Sequence, residues 1–289
     1  MADIAWVNGR LLDPGEAAVS VLDQGFLYGE GLFETMRAYG GRVFRLAQHL
    51  ERLSAGAADI GLAPPAAELL RGAIDEALAA GGMRDAVVRL TVTPGLAARP
   101  DRPTVVVLVR GLKLPPPEQY ASGCAAICVP AAQVRGTALR RVKSLNYLDK
   151  LLAQRAAAAA GAHEAILVDP DGYVVEGAMR NVFAVVDGVL VTPPLTRGLL
   201  PGITRQAVLE ATEGLGVLSE ERDLSRTELC SAEECFLTSS MAEILPIASV
   251  DGNAIGARAP GAITRALTDA YRSLVAAELG LAGPGNRSG

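Results

Sequence analysis

The mixed run of apolar and polar residues over 32–39, Leu32-Phe33-Glu34-Thr35-Met36-Arg37-Ala38-Tyr39, reads as a β-strand. Gly40-Gly41 then turns the chain back into a short run at 43–44. Two shorter apolar runs, 4–7 and 10–12, flank Asn8-Gly9 and read as a compact hairpin. Apolar residues recur three and four positions apart over 48–60 and 66–80, the spacing of helices with one buried stripe. Residues 87–92 and 104–109 read as further strands.

The pattern changes at Leu114-Pro115-Pro116-Pro117-Glu118. Three prolines cannot continue a strand ladder and stiffen the segment, so 114–121 is expected to be a linker. Beyond it come a strand at 125–129, a helix over 145–160, and a hairpin of 164–168 with 173–175. That hairpin turns at Asp169-Pro170-Asp171-Gly172. A second hairpin turns at Asp187-Gly188, a helix follows Gly202, and 234–238 forms a late strand. No internal repeat is visible. The expected architecture is α/β in two domains, a small one over 1–113 and a larger one over 122–289.

Composition narrows the picture. The positive mean hydropathy of +0.27 looks membrane-like, yet it comes largely from alanine. No apolar run approaches the roughly 20 residues that span a bilayer. The start, Met1-Ala2-Asp3-Ile4, lacks a basic region followed by an apolar stretch, so a cytoplasmic protein is expected. A net charge of −5 with interspersed signs recommends neither nucleic acid nor an anionic membrane as partner. Cys124 and Cys128, then Cys230 and Cys235, have spacings poor for zinc. They are expected to be small buried side chains in a reducing compartment, with no metal bound.

Candidate chemistry begins with lysine, which is scarce: Lys113, Lys143 and Lys150 are the three present. A lysine nucleophile must be held neutral in a pocket. Lys143 stands where a loop feeds an apolar helix, a junction able to bury an amine; the competing reading is a lysine in solvent. Glu176 follows a strand, where a carboxylate can face a bound heteroaromatic nitrogen or simply water. Gly198-Leu199-Leu200-Pro201-Gly202-Ile203-Thr204-Arg205 offers a glycine turn opening a helix, whose free N–H groups suit a phosphate, although many helices begin this way.

Together these segments resemble the fold-type IV pyridoxal-phosphate family, which contains branched-chain aminotransferases, D-amino acid aminotransferases and 4-amino-4-deoxychorismate lyases. The resemblance runs from Trp6-Val7-Asn8-Gly9 to Leu245-Pro246. It includes Tyr28-Gly29-Glu30-Gly31-Leu32-Phe33-Glu34, His49-Leu50-Glu51-Arg52-Leu53 and Lys143-Ser144-Leu145-Asn146-Tyr147-Leu148. Glu176-Gly177 through Asn181, Pro201-Gly202-Ile203-Thr204-Arg205 and Leu237-Thr238-Ser239-Ser240-Met241-Ala242-Glu243 follow in order.

The resemblance implies pyridoxal 5′-phosphate held in a cleft between a small N-terminal domain and a larger, barrel-like C-terminal one. It implies that Lys143 carries the cofactor and shuttles the substrate's α-proton, and that Glu176 pairs with the ring nitrogen. Arg52 and the amides of Ile203, Thr204, Ser240 and Met241 would hold the phosphate, with Tyr147 near the lysine or the ring. A homodimer is implied, with Leu27-Tyr28 contributing to the partner's pocket. The chain departs from the family after Glu176-Gly177, where Ala178-Met179-Arg180 replaces small hydroxyl residues.

The expected reaction is transamination between an amino acid, of D- or branched-chain type, and a 2-keto acid. The alternative is the lyase, which releases pyruvate and 4-aminobenzoate and which Thr35 in Phe33-Glu34-Thr35-Met36-Arg37 resembles. Phe33 and Thr35 are expected to line the substrate pocket. Arg37, Arg99 and Arg180 are the candidates to bind a substrate carboxylate; Asp101, near Arg99, would oppose one. A dehydrogenase is disfavoured because Gly29-Glu30-Gly31 lacks the third glycine of a dinucleotide fingerprint. A Ser-His-Asp hydrolase lacks G-x-S-x-G, and a non-catalytic scaffold would not be expected to keep both Lys143 and Glu176.

Overall fold

The computed structural model describes residues 2–99, 101–131 and 141–282. The chain is α/β and divides into two compact units. The first comprises residues up to Lys113 together with the described residues 141–146; the second comprises 114–131 and 147–282.

In the first unit the order is β1 (Ile4–Val7), β2 (Arg10–Leu12), α1 (Gln24–Tyr28), β3 (Leu32–Tyr39), β4 (Arg42–Val43), α2 (Leu46–Asp59), α3 (Ala67–Gly81), β5 (Ala86–Thr93) and β6 (Thr104–Gly111). The strands form one antiparallel sheet in the order β2-β1-β6-β5-β3-β4. Leu32, Met36 and Ala38 of β3 enter the core with Val88 and Val107, where Leu50 and Leu53 of α2 and Ile74 and Leu78 of α3 cover them. The pleat of β3 thus separates a helix-covered face from one carrying Phe33, Thr35 and Arg37.

Residues 143–145 extend this sheet. Phe33 N–H donates to the Lys143 carbonyl at 2.9 Å, and Leu145 N–H donates to the Gly31 carbonyl at 2.9 Å. Gly31 is needed for that approach, because a Cβ there would lie 2.8 Å from both Leu145 Cδ1 and the Val92 carbonyl oxygen. The sequence predicts a helix from 145, but the sheet takes that stretch, and α5 starts only at Leu148.

The second unit contains α4 (Pro117–Ser122), β7 (Cys124–Pro130), α5 (Leu148–Ala159), β8 (Glu164–Val168), β9 (Val174–Gly177), β10 (Asn181–Val186), β11 (Val189–Thr192), α6 (Ile203–Leu215), β12 (Ser219–Glu221), α7 (Arg226–Cys230), β13 (Glu234–Ser239), β14 (Glu243–Val250), β15 (Asn253–Ala254) and α8 (Ala262–Glu278). Its mixed sheet runs β12-β11-β10-β13-β14-β7-β8-β9, with β15 on β14. The Phe183 and Phe236 rings stack at 5.0 Å where β10 meets β13. The proline run expected as a linker opens α4 instead: proline is tolerated in a first turn, whose N–H groups have no helical partner. The four cysteines are free thiols, and burial pushes Cys124 up to about 11 and Cys128 to about 12. Among the described residues, no helix is long and apolar enough to cross a membrane.

Candidate functional site

The first unit supplies an amine on an aromatic platform. The Lys143 Nζ lies 4.6 Å from the centroid of the Phe33 ring, and the Arg89 guanidinium carbon lies 3.8 Å from the same centroid. Arg89 stands on β5 directly across from Thr35 of β3. Arg37, two residues along the same face, packs over Tyr39 at 4.4 Å. Phe33, Thr35 and Arg37 thus share one sheet face, with Lys143 over Phe33 and Arg89 across from Thr35. Its place was readable: 87, 89 and 91 alternate with buried 88, 90 and 92, but the arginine looks like any solvent-facing strand residue until β5 is paired with β3. Arg99 is exposed in the loop between β5 and β6, away from this register.

Behind the platform, Glu34 faces α2. Its carboxylate accepts from Arg52 Nε at 2.9 Å and Nη2 at 2.6 Å, and pairs with His49 Nδ1 at 2.7 Å. Burial alone would raise the Glu34 pKa, but Arg52 and His49 outweigh it and bring it from 4.5 down to about 2. Burial lowers the pKa of His49 despite Glu34 beside it. Arg52 is thus fixed by a fork of two charge-assisted bonds.

The second unit supplies a carboxylate and a helix end. Glu176, buried on β9, accepts from the Leu200 N–H at 3.2 Å through Oε2 and from Lys150 Nζ at 2.6 Å through Oε1. Lys150 is the second residue that sequence reasoning missed, because only the fold brings the first turn of α5 within reach of Glu176. Tyr147, the residue before α5, is half-buried with its ring 5.4 Å from Lys150 Nζ. Arg180 bonds through Nη1 to Glu164, a fully buried carboxylate whose pKa burial raises although Arg180 opposes it. That contact commits one edge of the guanidinium to the protein.

The α6 helix begins at Ile203 with no side-chain cap on its amides, and Ile203 and Thr204 are buried. Asn181 Nδ2 donates to the Leu200 carbonyl at 2.9 Å, tying this helix end to β10, and Asn181 is paired in register with Thr238 of β13. Ser240 and Met241 form the following β13–β14 turn, where Ala242 N–H donates to Ser239 Oγ at 3.1 Å. A Cβ at Gly202 would collide with Asn181 Oδ1. An uncapped helix start beside a hydroxyl-bearing turn fits a phosphate, and a buried carboxylate at a strand end fits a pyridine nitrogen.

The fold is that of a fold-type IV pyridoxal-phosphate enzyme. The model for amino-transferase class IV matches residues 31–250, and the chain belongs to that family, whose cofactor is pyridoxal 5′-phosphate. A Methanocaldococcus jannaschii protein provisionally named branched-chain-amino-acid aminotransferase is 37% identical, covering 93% of this chain and 95% of its own. The D-alanine aminotransferase of Bacillus licheniformis is 36% identical over 94% of this chain and 96% of its own. Among solved structures, the branched-chain aminotransferase of Thermoproteus uzoniensis with norvaline superposes with a TM-score of 0.85 at 35% identity, covering 95% of each chain.

Proposed function

We propose that the protein is a transaminase that moves an amino group between an amino acid, of branched-chain or D-type, and a 2-keto acid. The observation that carries this reading is the Lys143 amine over the Phe33 ring, on a strand face that also holds Arg37 and Arg89. When bound, pyridoxal phosphate supplies an electron sink that makes the α-proton of an amino acid removable. Lys143 would carry the cofactor and pass that proton. Glu176 would pair with the ring nitrogen, with Tyr147 near the lysine or the ring. The amides of Ile203, Thr204, Ser240 and Met241, with Arg52 held by Glu34, would hold the phosphate. Phe33 and Thr35 shape the substrate pocket. Arg37 and Arg89, on the sheet face that carries Thr35, join Arg99 and Arg180 as candidates for a substrate carboxylate.

A homodimer belongs to the same reading. Val21, Leu22, Phe26 and Tyr28 are more than 60% exposed, an apolar patch suited to a second copy of the chain. The lyase reading keeps one favourable observation, the Thr35 hydroxyl on the face of the sheet that holds Arg89. The test is to supply single D- or L-amino acids to the cofactor-loaded protein without a keto acid, and aminodeoxychorismate separately. Conversion of the cofactor to its amine form, absent in Lys143→Ala, is expected, and the reactive donor names the stereochemistry. Release of pyruvate from aminodeoxychorismate with the cofactor unchanged would instead establish the lyase.

A further inference from the structure

Lys150 occupies the first turn of α5, where the positive end of the helix disfavours a cation. It is nevertheless largely withdrawn from solvent, with 18% of its side chain exposed, and its Nζ lies 2.6 Å from Glu176 Oε1. Burial works against the ammonium, but Glu176 more than offsets it, and the pKa of Lys150 rises; Tyr147 and Asp149 are the other titratable groups acting on it. A lysine held in the protonated state is no nucleophile. The Glu176 carboxylate is thus engaged on both oxygens, by the Lys150 ammonium and by the Leu200 amide.

We propose that Lys150 is a positioning residue that shares Glu176 with the ring nitrogen of pyridoxal phosphate and so loosens that nitrogen's hold on its proton. This rests on the reading of Glu176 given above. Two cations drawing on one carboxylate repel each other, and a like charge at such range shifts a titration by about one to three units. With Lys150 removed, the carboxylate is left to the Leu200 amide and the ring nitrogen. In the cofactor-free protein the same removal strands a buried carboxylate without a cation. The free protein therefore loses more stability than the loaded one, and linkage requires the cofactor to bind more tightly.

The experiment compares wild type, Lys150→Met and Lys150→Arg, each loaded with pyridoxal phosphate carrying 15N in the ring. The nitrogen resonance is followed against pH, and cofactor binding is measured by absorbance. In Lys150→Met the protonated-ring signal is expected to persist to higher pH, its midpoint raised by about one unit, with a dissociation constant lower by about tenfold. The free protein should melt lower while the loaded protein changes less, and Lys150→Arg should behave as wild type. If Lys150→Met does not fold, Lys150→Gln takes its place with the same expectation. An unchanged midpoint and dissociation constant, or equal losses of melting temperature in free and loaded protein, would overturn the proposal. A wild-type protein that binds no cofactor would overturn the functional reading itself, a result distinct from a loaded wild type matched by Lys150→Met.

Discussion

Glu34 shows how much one buried residue can set. Its pKa of about 2, against 4.5 for an ordinary glutamate, means that the folded protein binds fewer protons than the unfolded chain over that interval. The stabilisation is present above about pH 4.5 and is lost as pH falls toward 2; two and a half units correspond to about 3 kcal/mol. His49 has the same sign, since its folded pKa is depressed and acid must charge it where it is buried. Urea titrations across pH 2–7 are expected to show this acid loss in wild type and a flatter profile in Glu34→Gln. That variant should also be less stable by about 3 kcal/mol at neutral pH, because Arg52 is left buried without its carboxylate. Gly202 gives a second test. Gly202→Ala places a methyl against Asn181 Oδ1, so about 1–3 kcal/mol of overpacking strain is expected in thermal melts. A weaker hold on the cofactor should accompany it, read by the absorbance of bound pyridoxal phosphate.

At the scale of elements, strand β3 and the first hairpin were legible because their signals are local: the strand-like run at 32–39 closed by Gly40-Gly41 and the Asn8-Gly9 turn depend on no distant partner. Helix α8 was not anticipated, and its start explains why. The Gly261 at its N-cap offers no side chain; Glu234, on β13, accepts from Ile263 N–H at 3.0 Å, Thr264 N–H at 2.8 Å and Thr264 Oγ1 at 2.6 Å. A cap delivered from 27 positions upstream leaves no trace in the local sequence (261 − 234). Glu234→Ala is expected to cost about 1–3 kcal/mol, with α8 amides exchanging hydrogen faster than those of β13. The site divides in the same way. Lys143, Glu176 and the Gly202 turn lie in short contiguous motifs, whereas Arg89 and Lys150 acquire their places only when β5 pairs with β3 and α5 packs on β8, which carries Lys150 to Glu176.

For the whole molecule, the exposed apolar residues of α1 and the loop before it bear on assembly. Sedimentation of the wild type is expected to give a dimer, and Phe26→Asp, which puts a charge into that patch, should shift it toward monomer. Lys143 is expected to keep its place over Phe33 in such a variant, because the backbone bonds at Gly31 and Phe33 that hold it lie within one unit.

Those bonds have a further consequence for anyone recombining relatives of this chain. The small unit is discontinuous: the polypeptide leaves it after Lys113, returns with residues 141–146, and leaves again before Tyr147. A chimera spliced once at 113/114 would take its small unit from one parent and the lysine-bearing segment from the other. The Phe33 and Gly31 backbone groups would then be matched with a foreign 143–145, and Leu145 would have to fit a notch cut for it by Gly31. A domain exchange that respects this protein's modularity therefore needs two further junctions, the last at 146/147.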